Sequence, residues 1–213
     1  SGTTADSLLI TNGGINTGSF ILTIGAIKGM RIDGVIIGTG GLTKINTDTL
    51  ILGGTNTYSG LTTLSAGVIE AKNSAAFGSN AGATTTSSNT TIQIEGSNLN
   101  IPEPITISGN GVVVNATNQG AIKNIRNINR WTGPITLGMA STIVSGTLSG
   151  TTADSLILET GEINLSSYGL TTDVVKGMRI DGIISGSGSG GTLTKIGNDT
   201  VILGGTNSYT GLT

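Results

Sequence analysis

Residues 28–34 read KGMRIDG, and residues 176–182 read KGMRIDG again, an offset of 148 (176 minus 28). The opening SGTTADSLL, 1–9, returns with the same offset as SGTTADSLI, 149–157. Between LTKI at 42–45 and LTKI at 193–196 the offset grows to 151 (193 minus 42), which places a three-residue insertion in the Gly/Ser tract 185–191. Extra residues are tolerated where a chain faces solvent, so that tract is expected to be a surface turn. The chain divides into one full unit, 1–148, and the first part of a second copy, 149–213, continuous with it. Thr213 aligns with Thr62, and the whole reads as a window cut from a tandem array. A stacked unit buries its core only against its neighbours, so repetition on this scale points to a scaffold before a reaction.

Inside the unit a shorter rhythm runs. Strands are predicted at 7–11, 20–25, 30–37, 42–45, 50–52, 62–64, 68–70, 90–95, 105–108, 111–115, 135–137 and 142–144, most of them three to six residues with every second residue apolar. Gly, Asn, Thr and Ser separate them, residues suited to turns. Residues 74–77 offer one helical turn at most. Pro102, Pro104 and Pro134 each fall just before an apolar run, where a missing amide does least harm. Strands at this spacing also fit a sandwich or barrel, but a solenoid accepts another copy at each end. The fold expected is all-β, a right-handed parallel β-helix built from tandem repeats. With rungs about 4.8 Å apart and roughly 20 residues per coil, a unit adds on the order of 35 Å of length.

Composition narrows the function. Charged residues are 10% of the chain, against about 25% in ordinary domains, and the net charge is −2. Nucleic-acid binding demands a clustered basic surface; the densest cluster here, Lys123, Arg126 and Arg130 beside Trp131, is expected to be solvated charge on a turn. There is no Cys, hence no disulfide or thiolate chemistry, and no His, hence no histidine base or ligand. No apolar run is long enough for a membrane helix, and 1–10 does not read as a signal peptide.

The segment 42–71, LTKINTDTLILGGTNTYSGLTTLSAGVIEA, resembles the strand repeat associated with bacterial autotransporter passengers, which also occurs in tandem in giant bacterial surface proteins. Its Asn-x-Tyr-x-Gly signature is Asn56, Tyr58 and Gly60, and again Asn207, Tyr209 and Gly211. The segment 121–150 is similar to the spacer between copies in such proteins, with Arg130 where the pattern has Asn before Trp131. The resemblance implies an extended β-helix at the cell surface or outside the cell, acting in adhesion, aggregation or coating.

Read from the residues alone, Asn56 and Gly60 suit left-handed turn positions, stacked Asn amides can form ladders, and the tyrosine covers the corner. The competing reading makes Tyr58, Trp131 and Tyr209 outward platforms for extracellular glycan. An enzyme comes third: Glu95 with Glu103, or Glu159 with Glu162, as a glycosidase pair, although solvated turn residues are the simpler reading. The twice-used Arg-Ile-Asp, Arg31 to Asp33 and Arg179 to Asp181, is expected to be a local ion pair. GGTNTY lacks the acid of a calcium nonapeptide, and 186–191 leads into a strand where a phosphate loop would need a helix. Thr47, Thr49, Thr55, Thr57, Thr84–Thr86, Thr90 and Thr91 lack the single short period of an ice-binding row. The expectation is therefore a non-enzymatic extracellular rod or filament segment without catalytic residues, cofactor or metal. Its partners are further copies of itself, another cell surface or a glycan; no nucleic acid and no membrane span in this segment are expected.

Overall fold

A run in which alternate residues are Ile, Leu or Val buries one side of its pleat and wets the other, and it needs a neighbouring strand for its amides. In the computed structural model, which describes residues 8–11, 13–147, 154–159 and 161–213, each neighbour is the preceding or following turn of the same coil. Ser7 of the first expected strand and the recurring segments 1–7 and 149–153 lie outside the described residues. Among those described there is no helix, and every strand pair but one is parallel. The chain is an all-β parallel β-helix with three faces.

Two register lines define the coil. On the first face Met30, Leu50, Ile69, Ile92, Ile122 and Ile143 stand directly above one another, strand upon strand from Met30–Ile32 to Ile135–Ser145. On the third face Leu22, Leu42, Thr62, Thr84, Ile105 and Ile135 do the same. The second face holds the short pair Ile15–Asn16 and Ile36–Ile37 and, further on, Asn100–Ile101, Ile128–Trp131 and Ser155–Leu158. The aligned Ile and Leu side chains point inward and form one continuous core.

The long repeat and the coil are out of phase. Leu170 is the copy of Leu22, yet Leu22 stands on the third face and Leu170 pairs with Ser141 on the first. Met30 stands on the first face; its copy, Met178, pairs with Leu156 on the second. Ile15 on the second face becomes Ile163, paired with Ile135, on the third. The second copy is therefore turned by one face. Six turns separate Leu8–Ile10 from the later half of Ile135–Ser145 on the first face, and the copy of Leu8–Ile10 begins on the face after that. A unit of six and a third turns is about 30 Å long, shorter than coils of 20 residues would give, because its turns are wider.

Several local expectations change. The run 30–37 is two strands, Met30–Ile32 and Ile36–Ile37, since the amides of Asp33 and Gly34 both turn onto the Ile10 carbonyl. The runs 135–137 and 142–144 join in one strand, Ile135–Ser145, that passes from the third face to the first. Residues 111–115 become one arm of an antiparallel hairpin, Val113–Val114 with Thr117–Asn118, whose central Asn115 and Ala116 both have positive φ. That is the turn geometry hairpins favour. Of the tract 185–191 expected as a surface turn, residues 187–190 are an exposed turn, while Ser185 ends the strand Ile183–Ser185 and Gly191 is buried.

Glycine is required where rungs touch. A Cβ on Gly60 would lie 2.5 Å from the Gly40 carbonyl carbon and 2.5 Å from the Gly41 nitrogen, backbone that cannot swing aside. At Gly161 it would meet nothing within 4 Å. Gly60→Ala is thus expected to destabilise the fold by about 1–3 kcal/mol, as overpacking does. Gly161→Ala should stay within about 0.5 kcal/mol of the parent. Chemical denaturation midpoints of the two variants check this; equal midpoints would refute the close-approach argument.

Candidate functional site

The repeated motif faces inward. Asn56 is buried, and its Oδ1 accepts from the Ile36 amide of the preceding turn at 2.9 Å while its Nδ2 donates to the Ala76 carbonyl of the next at 2.7 Å. One side chain bridges three rungs of the second face, where the backbone alone leaves a gap. In the second copy Asn207 accepts from Ile184 in the same way, at 2.9 Å. Neither Asn56 nor Gly60 adopts the left-handed conformation expected of it; among the asparagines Asn46, Asn89, Asn98, Asn115 and Asn127 do. Asn56 is a cross-rung amide and Gly60 a close-approach glycine, as is Gly211 against the Gly191 carbonyl. Lys44, counted in the sequence among scattered cations, is buried. Its Nζ donates to the carbonyls of Ile45, Asn46 and Ala66 and so satisfies the left-handed corner at Asn46, while burial lowers its pKa.

Two of the three expected aromatic platforms, Tyr58 and Trp131, are buried. Tyr58 is 0% exposed, its hydroxyl 2.6 Å from the Thr62 hydroxyl. Trp131 is 0% exposed, donates from Nε1 to the Glu103 carbonyl at 2.9 Å, and packs against Phe77 with ring centres 5.9 Å apart. Tyr209 repeats the tyrosine contact with Thr213 at 2.6 Å and is half-buried on the last turn. Buried rings cannot stack on a sugar, which corrects the outward reading of Tyr58 and Trp131. The cations beside Trp131 form no patch and no solvated turn. Lys123 and Arg126 lie on strand Ile122–Arg126 of the first face, bound to Gln119 and Glu95; Arg130 lies on the second, 3.2 Å from Glu159.

The carboxylates are also placed apart. Glu95 projects from the first face, 2.9 Å from Lys72, which also reaches Glu70 at 3.1 Å. Glu103 sits in the core side of the turn before Ile105–Gly109, 3% exposed, accepting from the Thr84 hydroxyl at 2.8 Å. It is no solvated turn residue: burial raises its pKa to about 7. Glu159 is taken by Arg130, and Glu162 by the Ser185 hydroxyl. Glu95 and Glu103 are not brought together, one lying in outward ion pairs and the other in the core. Glu159 and Glu162 are held by different partners, and among the described residues no three acids gather in a metal-holding group. The Arg-Ile-Asp pairs form as expected, Arg31 to Asp33 at 2.8 Å and Arg179 to Asp181 at 2.7 Å, on different faces because of the phase shift.

Of the threonines weighed for a row, Thr84, Thr86, Thr90 and Thr91 are buried, and Thr47, Thr55 and Thr57 are exposed. The hairpin, which the sequence did not reveal, overhangs a cleft of about 610 Å³ lined by Val68, Val112, Val113 and Val114 with Thr47, Ser65 and Asn89. No charged group lines it.

Asn56→Ala leaves a buried amide and a buried carbonyl without partners, and a loss of about 1–3 kcal/mol is expected, against under 1 kcal/mol at the exposed Asn80. Glu103 gives a pH signature. Its folded pKa lies above its ordinary 4.5, so the penalty on the charged form is absent below about pH 4.5, grows through the interval to about 7 and is complete above it. Stability should fall by about 3 kcal/mol across that interval from this group. Glu103→Gln, which keeps an acceptor for Thr84, should remove that slope; melting curves at pH 4.5 and 7.5 that drop equally for both proteins would contradict it.

Residues 42–71 and 193–213 match the family model of the passenger-associated-transport-repeat. No curated protein and no solved structure matches the chain. The first matched segment is the one whose Lys44, Asn56 and Tyr58 build the interior of the coil, and in the second the corresponding Asn207 and Tyr209 are half-buried on the last turns.

Proposed function

We propose that the chain is a length of a non-enzymatic extracellular rod on a bacterial surface protein, serving display, adhesion or self-association. The observation that carries this is the placement of the motif residues. The side chains that define the repeat are spent on the interior, holding turn to turn, and the same core runs through both copies. The passenger repeat supports a surface location, since passengers of this kind are exported. The candidate catalytic acids are occupied elsewhere, Glu103 in the core and Glu95 and Glu159 in ion pairs. The glycan reading loses its two largest rings to the core. The partners proposed are other copies of the chain or another surface.

Small-angle scattering and negative-stain microscopy of the purified chain at several concentrations test this. Nine strands stacked on the first face give a rod about 40 Å long. Such rods, with association that grows with concentration, are expected. Release of reducing ends from a panel of polysaccharides would overturn the non-enzymatic reading, and particles that stay single at every concentration would remove self-association from it.

A further inference from the structure

The third face carries a row that the repeat motif does not use. Thr23, Thr43, Thr63, Thr85, Thr106 and Thr136 are paired Cα to Cα on six successive turns, each pointing outward between two inward residues. With turns about 4.8 Å apart the row is about 24 Å long. None of the six hydroxyls has a hydrogen-bond partner among the described residues. The outward positions two residues further on are small or uncharged, among them Ser65, Ser87 and Ser108, and Ile21, Leu61 and Pro134 flank the other side. No charged side chain stands in these three ranks. The first face is the opposite, with Arg31, Glu70, Lys72, Glu95, Arg126 and Asp173 along it.

We infer that this threonine face is where two copies of the chain associate side by side, face against face. The inference rests on the self-association part of the proposed function and names its surface. A second copy is the partner whose hydroxyl spacing equals this one on every turn, so register gained at one rung is kept at the next. Each hydroxyl both donates and accepts, so a face can meet itself without needing a complementary partner set, and the methyl groups become buried in the same contact. There is no charge to desolvate and none to repel its own image. Six turns by three ranks cover on the order of 350 Å² per copy, less than half of what one side of a stable interface buries. The association of single chains is therefore weak, and it strengthens where several units act together. The second copy repeats the beginning of such a row one face on, with Thr171, the copy of Thr23, paired to Thr194, the copy of Thr43.

Sedimentation equilibrium of the full chain over a wide concentration range reads the association. Thr63→Lys with Thr106→Lys should weaken it at least tenfold, and so should Thr63→Glu with Thr106→Glu, while mixing the two variants restores it. Circular dichroism and melting of both variants should match the parent, because the changed side chains point outward. Val113→Lys, on the exposed hairpin, should leave association unchanged. Association that survives in both threonine variants, or is lost in Val113→Lys alone, overturns the face while leaving self-association standing. A parent chain that remains monomeric overturns self-association itself. If that monomer instead binds insoluble chitin or ice through the threonine face, the occupant assigned here is wrong.

Discussion

Every described strand, except the hairpin pair Val113–Val114 and Thr117–Asn118, depends on a neighbour one turn away for its backbone hydrogen bonds. An amide on the first face has no partner within its own turn, so an unstacked coil would leave its peptide groups to water and its Ile and Leu side chains exposed. Where strands are long, as at Thr90–Glu95, the ladder closes by itself. The second face is the weak side: its strands are as short as Ile15–Asn16, and around Asn56 there is none. There side chains take over, with Asn56 joining the turns before and after it and Asn129 donating to the Asn124 side chain and the Gly96 and Arg126 carbonyls. Asn56 and Asn129 are thus buried polar residues that supply cross-turn bonds on the face with the shortest strands, while most other buried polar residues, such as Thr62, Thr84, Thr91 and Thr172, line the two faces with continuous ladders.

This explains which features the sequence made legible. Alternation of apolar residues reports burial of one pleat face, and strands such as Leu42–Ile45, Thr62–Leu64 and Thr90–Glu95 are read to the residue. The internal repeat implied a solenoid, since only an open stack continues. What failed were inferences about direction. Polar types at Asn56, Lys44 and Glu103 suggested turns and solvent, and all three point inward, because a coil made of single turns must satisfy carbonyls and amides inside it. Pattern reading has no signal for that: a buried Lys that caps three carbonyls looks like any surface Lys.

The hairpin and the segment 122–131 were missed for a different reason. Asn115 and Ala116 close a tight hairpin turn, yet Ala is seldom found at positive φ, so the dipeptide carries no warning. In Ile122–Arg126 and Ile128–Trp131 the inward side carries Asn124 and Asn129 beside Ile122 and Trp131, while the outward side carries Ile125 and Ile128, which inverts the expected alternation of apolar and polar residues.

The phase shift separates two kinds of residue. A residue repeated after 148 positions lands on the next face, so adjacent copies cannot build a row along the axis by repetition alone. Residues with interior tasks tolerate this, because the core presents a similar surface to all three faces; Asn56 and Asn207 make the same amide contact one face apart. Rows along the axis must be assembled from unlike parts of the unit, as Thr23, Thr43, Thr63, Thr85, Thr106 and Thr136 are, each from a different local sequence. Agreement among six unrelated sequence contexts on one residue type has no source in the repeat itself. Thr suits an outward strand position on its own account, and its recurrence on six successive turns is what gives that face the uniform, uncharged surface on which the proposed association rests.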